Sequence, residues 1–267
     1  MKKILVRQGD EFLKYHGPTV EQDWGKVKLL EGLTEKIAGL RSPRPLRLDI
    51  EKECISYEWL GDLPRMITLR DDSLDDAICR LGQGLAQLHE SSVGMAKQGS
   101  PGAGAELPLD MPCFGDADRR KIRAKLPVAF FHGDCWHGNV LVDADQNCVL
   151  IDPIQSPWLF GGRQFDFANS IVDLATLHMS LLVSFRILPL LTLDIEKQLA
   201  LGDLLLDSYL GHFNAGSLRP QVLALSETIA RNYVSTYPKR INTLVGWVKL
   251  WLSNRIISDA KRRNSVE

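Results

Sequence analysis

Residues 132–139 read His-Gly-Asp-Cys-Trp-His-Gly-Asn, and thirteen positions after Asn139 stands Asp152, closing the apolar run Val149-Leu150-Ile151. An acid and an amide on one loop, with a second acid where a strand ends, can be brought to a single cleft. Phosphoryl transfer calls for such a set. It asks for in-line positioning and for cancellation of charge on the phosphates more than for covalent help. A carboxylate near the acceptor hydroxyl takes its proton, typically worth about 10²–10⁴-fold. An amide oxygen and a second carboxylate are hard donors that suit Mg2+ beside phosphate oxygens. The same stretch holds His132, Cys135, His137 and Cys148, which are zinc-ligand types. Their spacing, H-x2-C-x-H-x10-C, is not a usual zinc pattern, and phosphoryl transfer accounts for the loop better.

The elements around this loop are legible in outline. The chain opens with a hairpin: KKILVR, a Gln8-Gly9-Asp10 turn, then EFLKYH. Thr19-Val20-Glu21-Gln22 after Pro18 reads as a capping box, starting a helix with Val20, Trp24, Val27, Leu30, Leu33 and Ile37 at helical spacing. Two short strands are predicted at PLRLDI and ECISYEWL. Ser73 is expected to cap a second helix carrying Leu74, Ile78, Leu81, Leu85 and Leu88 on one face. Residues 97–108 read as a Gly/Pro/Ala-rich loop, and two strands flank the loop at 132–139. From about 167 onward the pattern is helical, with Asp194, Ser217 and Asn242 as expected N-caps. The chain therefore divides into a small β-rich part, 1–61, and a larger helical part, 62–267.

HGDCWHGNVLV, VLIDP and GGRQFDFA together resemble the aminoglycoside phosphotransferase and choline kinase superfamily, a branch of the protein-kinase-like fold. The nearest motifs are those of ketosamine (fructosamine) kinases and streptomycin-type phosphotransferases. The strong likeness spans about 128–175, and LGQGLAQLHES (81–91) is similar to the helix that ends in Leu-His before the catalytic loop. The resemblance implies an α+β, two-lobe fold with a truncated β-rich nucleotide-binding lobe. The helical lobe would carry the catalytic loop and the acceptor site. It also implies ATP and Mg2+ as cofactors. By position, Asp134 would be the catalytic base, and Asn139 and Asp152 the Mg2+ ligands. His132 would hold the loop, and Asp166, at a helix start, would anchor the loop's backbone. Lys14 would contact the α/β-phosphates, with Glu31 rather than Glu35 as its carboxylate partner. The backbone at Glu58, Trp59 and Leu60 would meet the adenine.

The sequence departs from that family in instructive ways. The extra first strand and its glycine-bearing turn over the phosphates have no counterpart here. Gly162 and Gln164 stand where related sequences carry acids. The interval between Asp152 and Asp166 is too short for a long activation segment that presents a peptide. That favours a small-molecule hydroxyl acceptor. A nucleotide-binding module without catalysis and a kinase of envelope sugars or lipids are the alternatives. Trp136 and His137 either face the acceptor or pack the loop.

Composition narrows the classes further. The chain has 267 residues, 45% hydrophobic and 24% charged, which excludes disordered, collagen-like and coiled-coil classes. With 32 Lys and Arg against 33 Asp and Glu, it lacks a global electrostatic case for nucleic acid. Five scattered cysteines do not form a disulfide framework, and MKKILV is too short for a signal-peptide core. A cytoplasmic location is expected. Residues 174–193 have the length of a membrane span, but His178, Arg186 and Pro189 interrupt them, so a buried core helix is expected instead. The segment 247–264 reads as an amphipathic helix whose tip, Lys261-Arg262-Arg263, could touch an anionic membrane surface. Residues 167–267 carry 11 Lys and Arg against 8 Asp and Glu. A polycationic acceptor would prefer an acidic wall, so a neutral sugar, an amino-sugar adduct or an acidic metabolite fits better.

Overall fold

The computed structural model describes residues 5–95, 113–154, 165–183 and 195–236, with 255, 258, 259 and 262 near the C-terminus. The opening hairpin forms as expected, Leu5–Gln8 (β1) pairing antiparallel with Glu11–Tyr15 (β2). Helix α1, Val20–Thr34, follows. Its apolar face meets strands Pro45–Asp49 (β4) and Cys54–Glu58 (β5). The sheet order is β1-β2-β5-β4, antiparallel throughout. Val20, Val27, Ile55 and Tyr57 form its small core, with Phe12 and Trp24 against it.

Between α1 and β4 lies a two-residue strand, Leu40–Arg41 (β3), that the sequence analysis does not foresee. It runs parallel to Cys148–Leu150 (β8), which pairs antiparallel with Val140–Val142 (β7). This three-stranded sheet ties the small β-rich lobe to the helical one. Leu30, Leu33, Ile37 and Leu40 accordingly belong to the large core rather than the small one.

The helical lobe is built on Asp71–Ser92 (α2), Asp116–Lys125 (α3), Ile171–Val183 (α4), Ile195–His212 (α5) and Arg219–Thr236 (α6). Helix α2 lies along α5, and α4 packs on both α5 and α6. Residues 171–182 are all buried. That explains why α4 is apolar on every side, as a helix at the centre of a lobe must be. Among the described residues no helix is long and apolar enough to cross a membrane.

Several local expectations fail for physical reasons. Thr19 does precede α1, but its hydroxyl donates to Asp23 Oδ2 (3.2 Å) rather than to the helix backbone, so the capping box is not closed. Helix α2 starts two residues before Ser73, after the extended Arg70, with Asp71 and Asp72 in its first turn where the helix dipole favours acids. Ser217 lies inside a short 3₁₀ turn, Gly216–Leu218, ahead of α6. Phe167–Asn169 is not helical but a strand (β9), paired antiparallel with Val128–Phe130 (β6). The expected loop at 97–108 and the caps at Asp194 and Asn242 lie outside the described residues, as do all of 184–193 and most of 247–264. Within that last stretch Arg255 and Arg262 both pair with Asp259. All five cysteines are free thiols.

Candidate active site

The loop from Phe131 to Asn139 connects β6 to β7 and is held at several points. Two successive amides near its start, His132 N–H and Gly133 N–H, donate to the two carboxylate oxygens of Asp173 (2.7 and 3.0 Å) in the first turn of α4. Gly133 has φ +81°, a conformation that glycine adopts without the Cβ penalty of other residues. His132 is fully buried; its Nε2–H donates to Ile151 O (3.1 Å) and its Nδ1 accepts from Asp134 N–H (3.4 Å). That pairing needs a neutral ring. Burial, with Lys26 and Lys14 nearby and only Asp173 and the Ile151 carbonyl opposing, brings its pKa to about 4.

Asp134 stands half-buried at the loop's apex. The Asn139 side-chain amide donates to both the carbonyl oxygen and Oδ2 of Asp134 (2.9 Å each), which turns the Asn139 Oδ1 away from that carboxylate. Ile151 N–H donates to Asn139 O (3.0 Å), bringing Asp152 beside it. Asp152 has φ +59°, a left-handed conformation of the kind concentrated at functional sites. Its carboxylate takes the ammonium of Lys14, reaching over from β2. Asp134, Asn139, Asp152 and Lys14 therefore converge.

A cleft of about 390 Å³ opens beside this group between the lobes. Phe12 and Val27 line it from the small lobe, Leu141, Leu150 and Ile151 from the large one, and Trp59 and Leu60 at the connection. Lys14 and Asp152 form its polar end. Phe12 stacks on Tyr57 with centroids 5.0 Å apart, and the Arg7 guanidinium sits 4.6 Å from the Trp59 ring. The Glu58 and Trp59 amides are engaged by Arg44 O and Asp10 O (3.0 and 2.8 Å), and the Glu58 carboxylate accepts from Arg44 N–H. Glu31 pairs with Lys28 on its own helix.

The model of the phosphotransferase enzyme family matches residues 33–169, a little over half of the chain. The chain belongs to this family. No curated protein sequence matches it. Among solved structures it is similar to a glucosamine kinase in complex with glucosamine, ADP and inorganic phosphate, at 16% identity and TM-score 0.62, covering 99% of this chain and 82% of that one. It is also similar to a choline/ethanolamine kinase family protein from Mesorhizobium loti (14%, TM-score 0.54, 98% and 90%). A choline kinase from Streptococcus pneumoniae gives 12%, TM-score 0.52, 96% and 89%. These likenesses establish the two-lobe, protein-kinase-like fold.

In this phosphotransferase the side chain that anchors the 131–139 loop is that of Asp173, and Asp166 holds the loop only through its backbone. Asp166 stands just before β9 rather than at a helix start, and it is its carbonyl that receives Phe131 N–H (2.8 Å). Asp173 is fully buried. Burial pushes its carboxyl up, but the His89 and His132 imidazoles and the Gly133 amide outweigh that and hold it below the usual carboxylate range. His89 Nε2 lies 3.6 Å from Asp173, and Nδ1 meets the Tyr209 hydroxyl at 2.6 Å, so the helix-end histidine braces the anchor. The sequence signal for Asp173 was an acid inside an otherwise apolar helix. Trp136 packs on its own loop: a Cβ on Gly138 would lie 2.3 Å from the indole, so only glycine fits there. His137 is buried, its amide bonded to Ser180 Oγ (2.9 Å). Among the described residues no three His, Cys, Asp or Glu side chains form a metal-binding group, which leaves the zinc reading unsupported.

Acid should destabilise this phosphotransferase steeply. His132 and His178 titrate at about 4 and about 3 when folded, burial being the main cause, against about 6.5 unfolded. Between those values the unfolded chain binds more protons, so stability falls as pH drops below 6.5. At pH 4.5 each histidine should cost roughly 2–3 kcal/mol relative to pH 7. Urea titrations at pH 7, 5.5 and 4.5 will show the midpoint falling; a midpoint independent of pH would contradict the buried neutral rings.

Proposed function

We propose that this phosphotransferase is an ATP- and Mg2+-dependent kinase that transfers the γ-phosphate to a hydroxyl of a small molecule. The observation that carries this reading is the convergence of Asp134, Asn139, Asp152 and Lys14 beside a mostly apolar interlobe cleft, which Lys14 and Asp152 themselves line. The apolar walls suit a nucleotide base, and the polar end its phosphates.

The residues also suit the metal. Asn139 Oδ1, just before β7, and the Asp152 carboxylate, just past β8, are two hard oxygen donors, the number Mg2+ commonly takes from protein when phosphate and water complete its shell. Mg2+ held there would neutralise charge on the transferring phosphoryl group. Lys14 would move from Asp152 towards the α/β-phosphates and fix the nucleotide's tail. Asp134, its carboxylate oriented by the Asn139 amide, would accept the acceptor's proton as the new O–P bond forms. His132 and Asp173 would keep the loop still, so that orientation is already set before substrate arrives. Trp59 and Leu60 would take the base, and reliance on ATP places the reaction in the cytoplasm. For the acceptor we favour a neutral sugar, an amino-sugar adduct or an acidic metabolite, from the slight excess of cationic residues after 166.

The test is ATP-dependent phosphorylation of a pooled metabolite set, read by mass spectrometry with Mg2+ and with EDTA. A product seen only with Mg2+ is the expected result and names the acceptor class. Binding of Mg-ATP without any product would leave a nucleotide-binding module, and absence of binding would remove the reading altogether.

A further inference from the structure

Lys26 belongs to the small lobe's helix α1, yet its side chain ends beneath the catalytic loop, only 3% exposed. Its ammonium donates to His132 O (3.3 Å) and Phe165 O (3.1 Å). The first carbonyl lies two residues before Asp134. The second lies next to Asp166, whose own carbonyl holds Phe131 N–H. The rings of Phe130 and Phe131 stand 5.9 and 5.6 Å from the ammonium. One cation thus gathers the 131–139 loop and the residues leading into β9, and joins both to α1.

Packing does not explain this placement. A buried ammonium is costly, and an apolar side chain would fill the space without that cost. The titratable groups facing it are the carboxylates of Asp23 from α1, Asp134 from the loop, Asp166 before β9 and Asp173 from α4, and the neutral ring of His132. Burial lowers its pKa to about 8, while the four carboxylates work the other way. The ammonium is therefore retained at neutral pH against its desolvation, where it fixes two carbonyls that a methylene chain would leave unheld.

We propose that Lys26 is a positioning residue for phosphoryl transfer, setting the place of the Asp134 loop relative to α1 through the His132 and Phe165 carbonyls. The proposal rests on the kinase reading above. It couples the packing of the two lobes to the base, so that displacing α1 displaces Asp134.

The test compares Lys26→Met and Lys26→Arg with wild type in three measurements: hydrolysis of Mg-ATP with water as acceptor, thermal melting, and amide hydrogen exchange of the 131–139 segment. For Lys26→Met we expect kcat to fall roughly 10²-fold, the loss that a small misplacement of a catalytic group produces. KM for ATP should move less than about threefold. Exchange in 131–139 should quicken while the melting temperature holds or rises, since a buried charge is gone. Lys26→Arg, which keeps charge and donors, should recover part of kcat. Unchanged kcat and unchanged exchange in Lys26→Met would overturn the proposal. So would a parallel loss of melting temperature, KM and kcat with no rescue by Arg, because that describes a structural lysine. A wild type that neither binds nor hydrolyses Mg-ATP defeats the kinase reading alone. The exchange data then still decide whether Lys26 holds the loop.

Discussion

Asp134→Asn will lower kcat by about 10²–10⁴-fold, the usual worth of a positioned proton acceptor. The substitution removes the basic oxygen but little else. Its amide oxygen can still accept from the Asn139 side chain, which now bonds Asp134 Oδ2 at 2.9 Å. The Asp134 carbonyl keeps its own bond from Asn139, and the loop keeps its anchor at Asp173. Melting temperature and Mg-ATP affinity should therefore stay near wild type, and KM for the acceptor should change little. Such a pattern is the signature of an interaction made only in the transition state. The measurement is turnover on whichever acceptor the metabolite set yields, beside calorimetric titration of Mg-ATP. A fall in kcat below about tenfold would mean that Asp134 is not the base and that the proton leaves by another route.

The residues of this prediction were legible in the sequence because chemistry constrains their types at fixed spacing. His132, Asp134, Asn139 and Asp152 sit on one short stretch, and the fold only has to bend it. Lys14 was legible only through the family resemblance, which picks out a lysine on the second strand of the hairpin. The partner of a long-range contact is harder to read. Helical phase placed Glu31 on the inward side of α1, but phase says nothing of reach, and Lys28 one turn away takes its carboxylate. Asp173 grips amides 40 and 41 positions earlier, and Lys26 reaches a carbonyl 106 positions later. No local pattern records either. The same limit explains the strands that went unseen. β3 and β9 are two and three residues long, too short for a period to show, and they exist because β8 and β6 offer them an edge.

Together these contacts show how the loop is governed. Three of its supports reach it from different elements: Asp173 from α4, Lys26 from α1, and Ile151 O just past β8, which receives His132. Each one addresses backbone or a buried ring rather than Asp134 itself. The Asp134 carboxylate is thus left to its contact with Asn139 while the loop is fixed from behind, the preorganisation that the proposed role as base would require.

Of the three supports, Asp173 should matter most to stability, and Asp173→Asn is expected to cost on the order of 3–5 kcal/mol, as breaking a buried charged arrangement does. Its two oxygens each receive one amide, from His132 at 2.7 Å and from Gly133 at 3.0 Å. Hydrogen bonds to a charged group contribute about 1.5–3 kcal/mol apiece. Asparagine offers one oxygen, and its NH2 would face the second amide donor to donor, in a site closed to water. His89, 3.6 Å away, would lose the carboxylate it faces. A domain holds only about 5–15 kcal/mol in reserve, so this single change should move the urea midpoint far down. Turnover should fall with it, because Gly133 at φ +81° would no longer be held in the turn that presents Asp134. The two effects can be separated by assaying at low temperature without denaturant, where most of the variant remains folded. Activity lost there reports the loop rather than global unfolding. An Asp173→Asn protein whose unfolding free energy lies within about 1 kcal/mol of wild type would show that the loop is anchored elsewhere.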